Sequence, residues 1–131
     1  MSTSTESPVP TLVHGPQPAS TTAQTRAMVR RPGIAGDTSG AQKIWMGHVT
    51  GLPNEAGPPH HHGEAETAAY ILKGRMRVYF GESFNEYIEA GPGDFLFVPA
   101  QVPHIEANPY DEPVEAIVSR SPDNIVVNLG E

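Results

Sequence analysis

The sequence predicts an all-β fold, a sandwich or barrel of short antiparallel strands such as a jelly roll, preceded by a disordered or extended N-terminal tail. Three observations predict it. Strand-like runs recur along the chain, each short and bounded by Gly, Pro, Asn or Asp. Glycine and proline number 13 and 14 among 131 residues, so turns are frequent and long helices disfavoured. No stretch repeats apolar residues at the helical period over a dozen positions.

Taken in order, residues 1–25 are rich in Ser, Thr, Pro and Gln. They carry too little apolar surface to offset the entropy of ordering, so they read as the tail, and His14 within them has no evident role. Residues 26–131 then form one β-barrel domain, within the usual length of a single domain. The candidate strands are residues 27–31, 43–51, 59–63, 66–73, 75–80, 85–89, 95–98, 104–108, 114–120 and 124–129. The clearest is 75–80, where Met76, Val78 and Phe80 share one face and the arginines the other. Trp45, Met46, Tyr70, Phe95 and Phe97 read as core side chains. Gly74 and Gly93 read as turn glycines with positive φ, Pro99 and Pro103 as strand-edge restraints, and Asp94 as a turn hydrogen-bonder.

Composition narrows the function. The formal net charge of −7 argues against nucleic acid, whose phosphates require a basic surface. Arg26, Arg30 and Arg31 cluster locally and read as solvated charges beside a strand. The chain has no cysteine, so any metal must be held by nitrogen and oxygen ligands. No apolar run approaches the length of a membrane span, and no basic segment leads into an apolar one. A soluble, cytoplasmic protein with a small-molecule substrate is expected.

Two histidine clusters framed by glycine and proline point to a metal. The first spans Gly57 to Glu66 and contains His60-His61-His62; the second spans Gly93 to Asn108 and contains His104. Strand side chains alternate faces, so His60 and His62 point one way and His61 the other. Such a pair places two imidazoles on one ion, about 2.0–2.1 Å away for a zinc-like metal. A carboxylate and a third imidazole would complete a facial set with open positions. Glu66 is the first candidate carboxylate, sharing a strand face with Ala68, Tyr70 and Leu72. His104 is the third imidazole, placed where the chain re-enters after Pro99 and Pro103. Tyr70 and Gln101 are the candidate catalytic side chains, a phenol and an amide able to orient a substrate or a bound water.

These segments resemble the two signature motifs of the cupin superfamily. The second family motif, G-x5-P-x-G-x2-H-x3-N, is met at Gly93, Pro99, His104 and Asn108, with Gln101 where the family has glycine. The first, G-x5-H-x-H-x3-4-E-x6-G, is met at His60, His62, Glu66 and Gly74, with Gly74 one residue further on and Gly57 closer to His60 than the pattern asks. The resemblance covers roughly residues 40–120. It implies a small, conical, single-domain double-stranded β-helix holding one divalent metal ion (Fe, Mn, Zn or Ni) on His60, His62, Glu66 and His104. Counted backward from Gly74, Thr67 falls where the family glutamate stands. Two other ligands are therefore open: Glu106, which forms an H-x-E pair with His104 as in pirin-type cupins, and His48, which would make a four-histidine site. The order of preference is Glu66, Glu106, His48.

By the same resemblance, the first functional expectation is a metal-dependent enzyme acting on a small organic molecule, with dioxygenase-type oxidation ahead. A non-oxidative cyclase or isomerase, such as a small cupin polyketide cyclase, is the alternative, and a non-catalytic ligand-binding or sensor cupin comes next. A metal-free epimerase-like reading is weaker, because it needs a basic phosphate pocket. Cupins commonly pair through sheet edges, which implies a homodimer in which the strand near residues 28–31 could be exchanged.

Overall fold

Alternating side chains organise the chain into eleven strands among residues 8–130, the part described by the computed structural model. These are β1 (Met28–Ile34), β2 (Trp45–Gly51), β3 (Glu55–Ala56), β4 (His60–His61), β5 (Glu66–Lys73), β6 (Met76–Phe80), β7 (Glu86–Ala90), β8 (Phe95–Val98), β9 (Ile105–Asn108), β10 (Val114–Ser121) and β11 (Val127–Asn128). One sheet runs β1-β2-β10-β5-β8 and faces a second, β3-β9-β6-β7, while β11 and β4 pair separately. All of the pairings are antiparallel. The result is a jelly roll of the double-stranded β-helix type. Among the described residues no helix is long and apolar enough to cross a membrane.

The core lies between the two sheets. Inward positions alternate along β10 as Val114, Ala116 and Val118, and they meet Val49 of β2, Ile71 of β5 and Met76 and Val78 of β6. Trp45 opens β2 and is almost wholly buried, as expected. Its ring packs where a side chain on Gly47 would stand: an added Cβ would lie 2.6 Å from the indole and 2.5 Å from the Arg31 carbonyl. Residues 8–25 form an irregular segment with one 3₁₀ turn at Ala19–Thr21. It is tied to β1 by the Gln17 amide on the Pro32 carbonyl. Residues 1–7 of the expected tail lie outside the described residues.

Several outward side chains correct the sequence-based core. Tyr70 (38% exposed), Phe95 (83%), Phe97 and Met46 stand on the outer face of the five-stranded sheet, with the Tyr70 and Phe95 rings tilted at 53° and their centroids 4.8 Å apart. Strand β5 is apolar on both faces, so alternation alone could not choose between them. Pairing with β10 decides: Val118 sits opposite Ala69 and Arg120 opposite Thr67, which turns Thr67, Ala69 and Ile71 inward. β3, two exposed residues of which only Ala56 is apolar, is too short to show an alternation in the sequence.

Gly74 closes the β5–β6 turn at φ 79°, in the left-handed region that favours glycine. A Cβ there would lie 2.5 Å from the Pro113 carbonyl and 2.9 Å from the Val114 Cα, both backbone atoms. Gly74→Ala is therefore expected to cost about 2–4 kcal/mol from left-handed strain and overpacking together. The measurement is the urea midpoint at unchanged m-value.

Candidate metal centre

Three histidines reach one point because two short backbone pairings hold them there. His60 and His104 exchange both backbone hydrogen bonds, N–H to carbonyl, at 3.0 and 2.9 Å. Residues paired in this way project side chains to the same side of the ladder. On the other flank of β4, β11 pairs Val127 with His61 and Asn128 with His60. Alternation then turns His60 and His62 inward and His61 outward, where its Nδ1 accepts the Gly63 amide at 2.9 Å. Glu106, two residues beyond His104, faces inward with it.

The backbone also sets the tautomers. Nδ1 of His60, His62 and His104 lies 3.0, 2.7 and 2.9 Å from the carbonyls of Pro58, Ile125 and Val102. A carbonyl only accepts, so each Nδ1 carries the proton and each Nε2 presents a lone pair. Burial holds His60 and His62 below the usual imidazole range. His62 falls to about 3, with the Arg120 charge adding to burial. These two rings are neutral at pH 7, as metal ligands must be. Burial alone would raise the Glu106 carboxyl, but its charged neighbours, Arg30 first, outweigh it, and the group stays well below the usual carboxylate range.

The four donors lie within 4.8 Å of one another and all four residues are buried. Glu106 Oε1 is 3.5 Å from His60 Nε2, and Oε2 is 3.9 Å from His104 Nε2. Ligands on a tetrahedral zinc-like ion stand about 3.4 Å apart, so these spacings fit a shared cation. Two of the lone pairs have no other use: His60 Nε2 and His104 Nε2 are buried without any hydrogen-bond partner. Unsatisfied buried acceptors cost about 1–3 kcal/mol each, and a cation between them and a carboxylate would satisfy them. The cluster could hold a divalent metal ion, and its three nitrogens and one carboxylate suit Zn, Fe, Mn or Ni.

The remaining expected site residues lie elsewhere. Glu66 is exposed on the outer face of β5, because the register with β10 turns Thr67 inward in its place. The carboxylate facing the histidines is Glu106, the second choice. His48 is on the outer face of β2, 3.1 Å from Glu115. Tyr70 is on the outer face of the sheet, and Gln101 is exposed in a left-handed turn (φ 66°) that explains the glycine usual in the motif. Gln101 contributes its backbone amide to the Gly63 carbonyl. Asn108 closes the β9–β10 turn, donating to the Gly51 and Glu112 carbonyls. Asp94 accepts the Gly91 amide, as a turn residue should.

Two arginines are buried beside the cluster: Arg30, expected as a solvated charge, and Arg120, which the sequence did not single out. Arg30 is 1% exposed, not a solvated charge, and its Nη2 lies 3.4 Å from Glu106. Arg120 is 2% exposed and donates to Thr67 Oγ1, Asn124 Oδ1 and His62 Nε2 at 2.9, 3.0 and 3.1 Å. The available signal was alternation: Arg30 continues the inward register of Met28, and Arg120 that of Val114, Ala116 and Val118.

The family model "Cupin domain" matches residues 47–120, more than half of the chain and including every residue of the cluster. The chain is a cupin. Solved structures similar to this cupin include the polyketide cyclase RemF from Streptomyces resistomycificus, at 23% identity over 91% of this chain and 81% of that one (TM-score 0.67). An uncharacterised Klebsiella pneumoniae protein with a double-stranded β-helix domain is 13% identical over 83% and 90% (TM-score 0.66). An oxalate oxidase in complex with glycolate is 20% identical over 79% of this cupin (TM-score 0.64), which spans only 55% of that chain. At such identities the likeness is one of fold. No curated protein matches this cupin in sequence.

Proposed function

We propose that this cupin is an enzyme that acts on a small organic molecule at a divalent metal held by His60, His62, His104 and Glu106, with oxidation as the reaction. The observation that carries the proposal is the pair of buried, unpartnered Nε2 lone pairs facing an ionised carboxylate. A redox-active ion held there would supply Lewis acidity and one-electron chemistry. The chain's own residues do the rest. The Pro58, Ile125 and Val102 carbonyls hold the three imidazoles in orientation, so the donors are set before any ligand arrives. Arg30 keeps Glu106 ionised. The apolar side chains of β2, β5, β8 and β10 exclude bulk water from the space beside the cluster.

A second reading, non-oxidative cyclisation or isomerisation, draws support from the overlap with RemF across 91% of this chain. The two separate cleanly. Protein purified without nickel affinity is loaded with Fe(II), Mn(II) or Zn(II) and offered small enolic and phenolic compounds. Oxidation requires oxygen uptake with Fe(II) or Mn(II). Equal turnover under anaerobic conditions with Zn(II) would reject oxidation in favour of the second reading.

A further inference from the structure

We propose that Arg30 and Arg120 form an anion-binding site beside the histidine–glutamate cluster, whose ligand is a small deprotonated organic acid presenting an oxygen donor. This deepens the functional proposal above and rests on it for the identity of the ligand as substrate.

Charge is the first observation. Arg30 and Arg120 are buried beside a single buried carboxylate, Glu106, so these three groups leave one net positive charge inside the barrel. A divalent cation on the cluster would raise that to three. Each uncompensated buried charge is costly, so the occupant that balances the interior is negative.

The second observation is an unpartnered donor. Arg30 uses Nη2 on Glu106, while its Nη1 is buried with no hydrogen-bond partner. The orphaned histidine nitrogens accept and call for a cation; this nitrogen donates and calls for an acceptor. Arg120 supplies another donor nearby. Thr67 and Asn124 hold its Nε and Nη1 beside the cluster, so a cation that took the His62 Nε2 lone pair would displace Nη2 and free its N–H for an acceptor.

Both arginines, Thr67 and Glu106 are the polar residues lining an interior cavity of about 20 Å³, whose other lining side chains are apolar. That is more than the minimum of roughly 10–15 Å³ needed for a single water-sized group. That space takes one oxygen of a ligand, and the polar lining selects a charged oxygen, for which guanidinium is the preferred partner.

The test compares formate with formamide, a neutral molecule of nearly the same shape, at constant ionic strength. Melting temperature is followed for the metal-free and the Co(II)-loaded full-length chain, and the visible Co(II) spectrum provides a second readout. Formate is expected to raise the melting temperature and perturb the spectrum, with formamide doing neither. Arg30→Gln, compared with the unaltered chain in the metal-free state and again at full Co(II) loading, should weaken formate roughly tenfold or more, the loss of a hydrogen bond to a charged group. Equal effects of formate and formamide, or undiminished formate binding in Arg30→Gln, would overturn the proposal. If that variant does not fold, the comparison on the unaltered chain decides alone. A chain that takes up no Co(II) would sink the functional proposal, while formate against formamide on the metal-free chain still decides this one.

Discussion

Replacing His104 with alanine is expected to lower metal affinity more than about 100-fold, beyond the 10–100-fold typical of outer-shell partners. His104 is the residue that makes the cluster a cluster. Its backbone exchanges two hydrogen bonds with His60, and its Nε2 is one of the two buried lone pairs without a partner. Alanine keeps the backbone pairing and removes the donor, so the loss reports ligation rather than unfolding. Elemental analysis of protein purified without nickel affinity, with far-UV circular dichroism as the check on folding, makes the measurement. Glu106→Gln should also lose metal, whereas Glu66→Gln, altered on the outer face of β5, should retain it. Full metal content in His104→Ala would remove the centre proposed here, and loss in Glu66→Gln alone would return the carboxylate to β5.

The second large effect concerns stability. Glu106→Leu takes away the carboxylate that faces Arg30 at 3.4 Å in the interior. Removing one member of a buried ion pair leaves the other uncompensated, which costs about 3–5 kcal/mol. The loss should appear as a lower urea midpoint at constant m-value. The double replacement Arg30→Met with Glu106→Leu should recover much of it, since an apolar pair of similar volume avoids burying either charge. If Glu106→Leu costs under about 1 kcal/mol, within the range of a surface pair, the charge balance described for the interior is wrong.

The fold was legible because its signals are local. The bounds of β5 and β8 follow from runs of residues between turn formers, and the two histidine segments carry spacings specific enough to indicate both barrel and metal. His60, His62 and His104 were readable for the same reason, since face alternation within a strand needs no knowledge of neighbours. The carboxylate was not. Thr67, Ala69 and Ile71 make as plausible an inner face as Glu66, Ala68, Tyr70 and Leu72, and only the cross-strand register with β10 settles it. The same non-local choice put Tyr70, Phe95 and Phe97 on the outside. Arg30 and Arg120 were missed because charge argues for the surface, while their place in the alternation argues for the interior; burial went with the alternation.

The threefold anchoring of the imidazoles has a consequence in time. His60 needs its pairing with His104, and His62 needs the Ile125 carbonyl, while β4 gains its other neighbour only at Val127 and Asn128. These contacts join residues more than forty positions apart, the kind that form late because a long loop must close first. A growing chain therefore carries its H-x-H pair through most of synthesis with the His62 ring unoriented and His60 unpaired with His104. The site comes into being only once residue 128 is in place, which makes metal capture a sign that the barrel has closed.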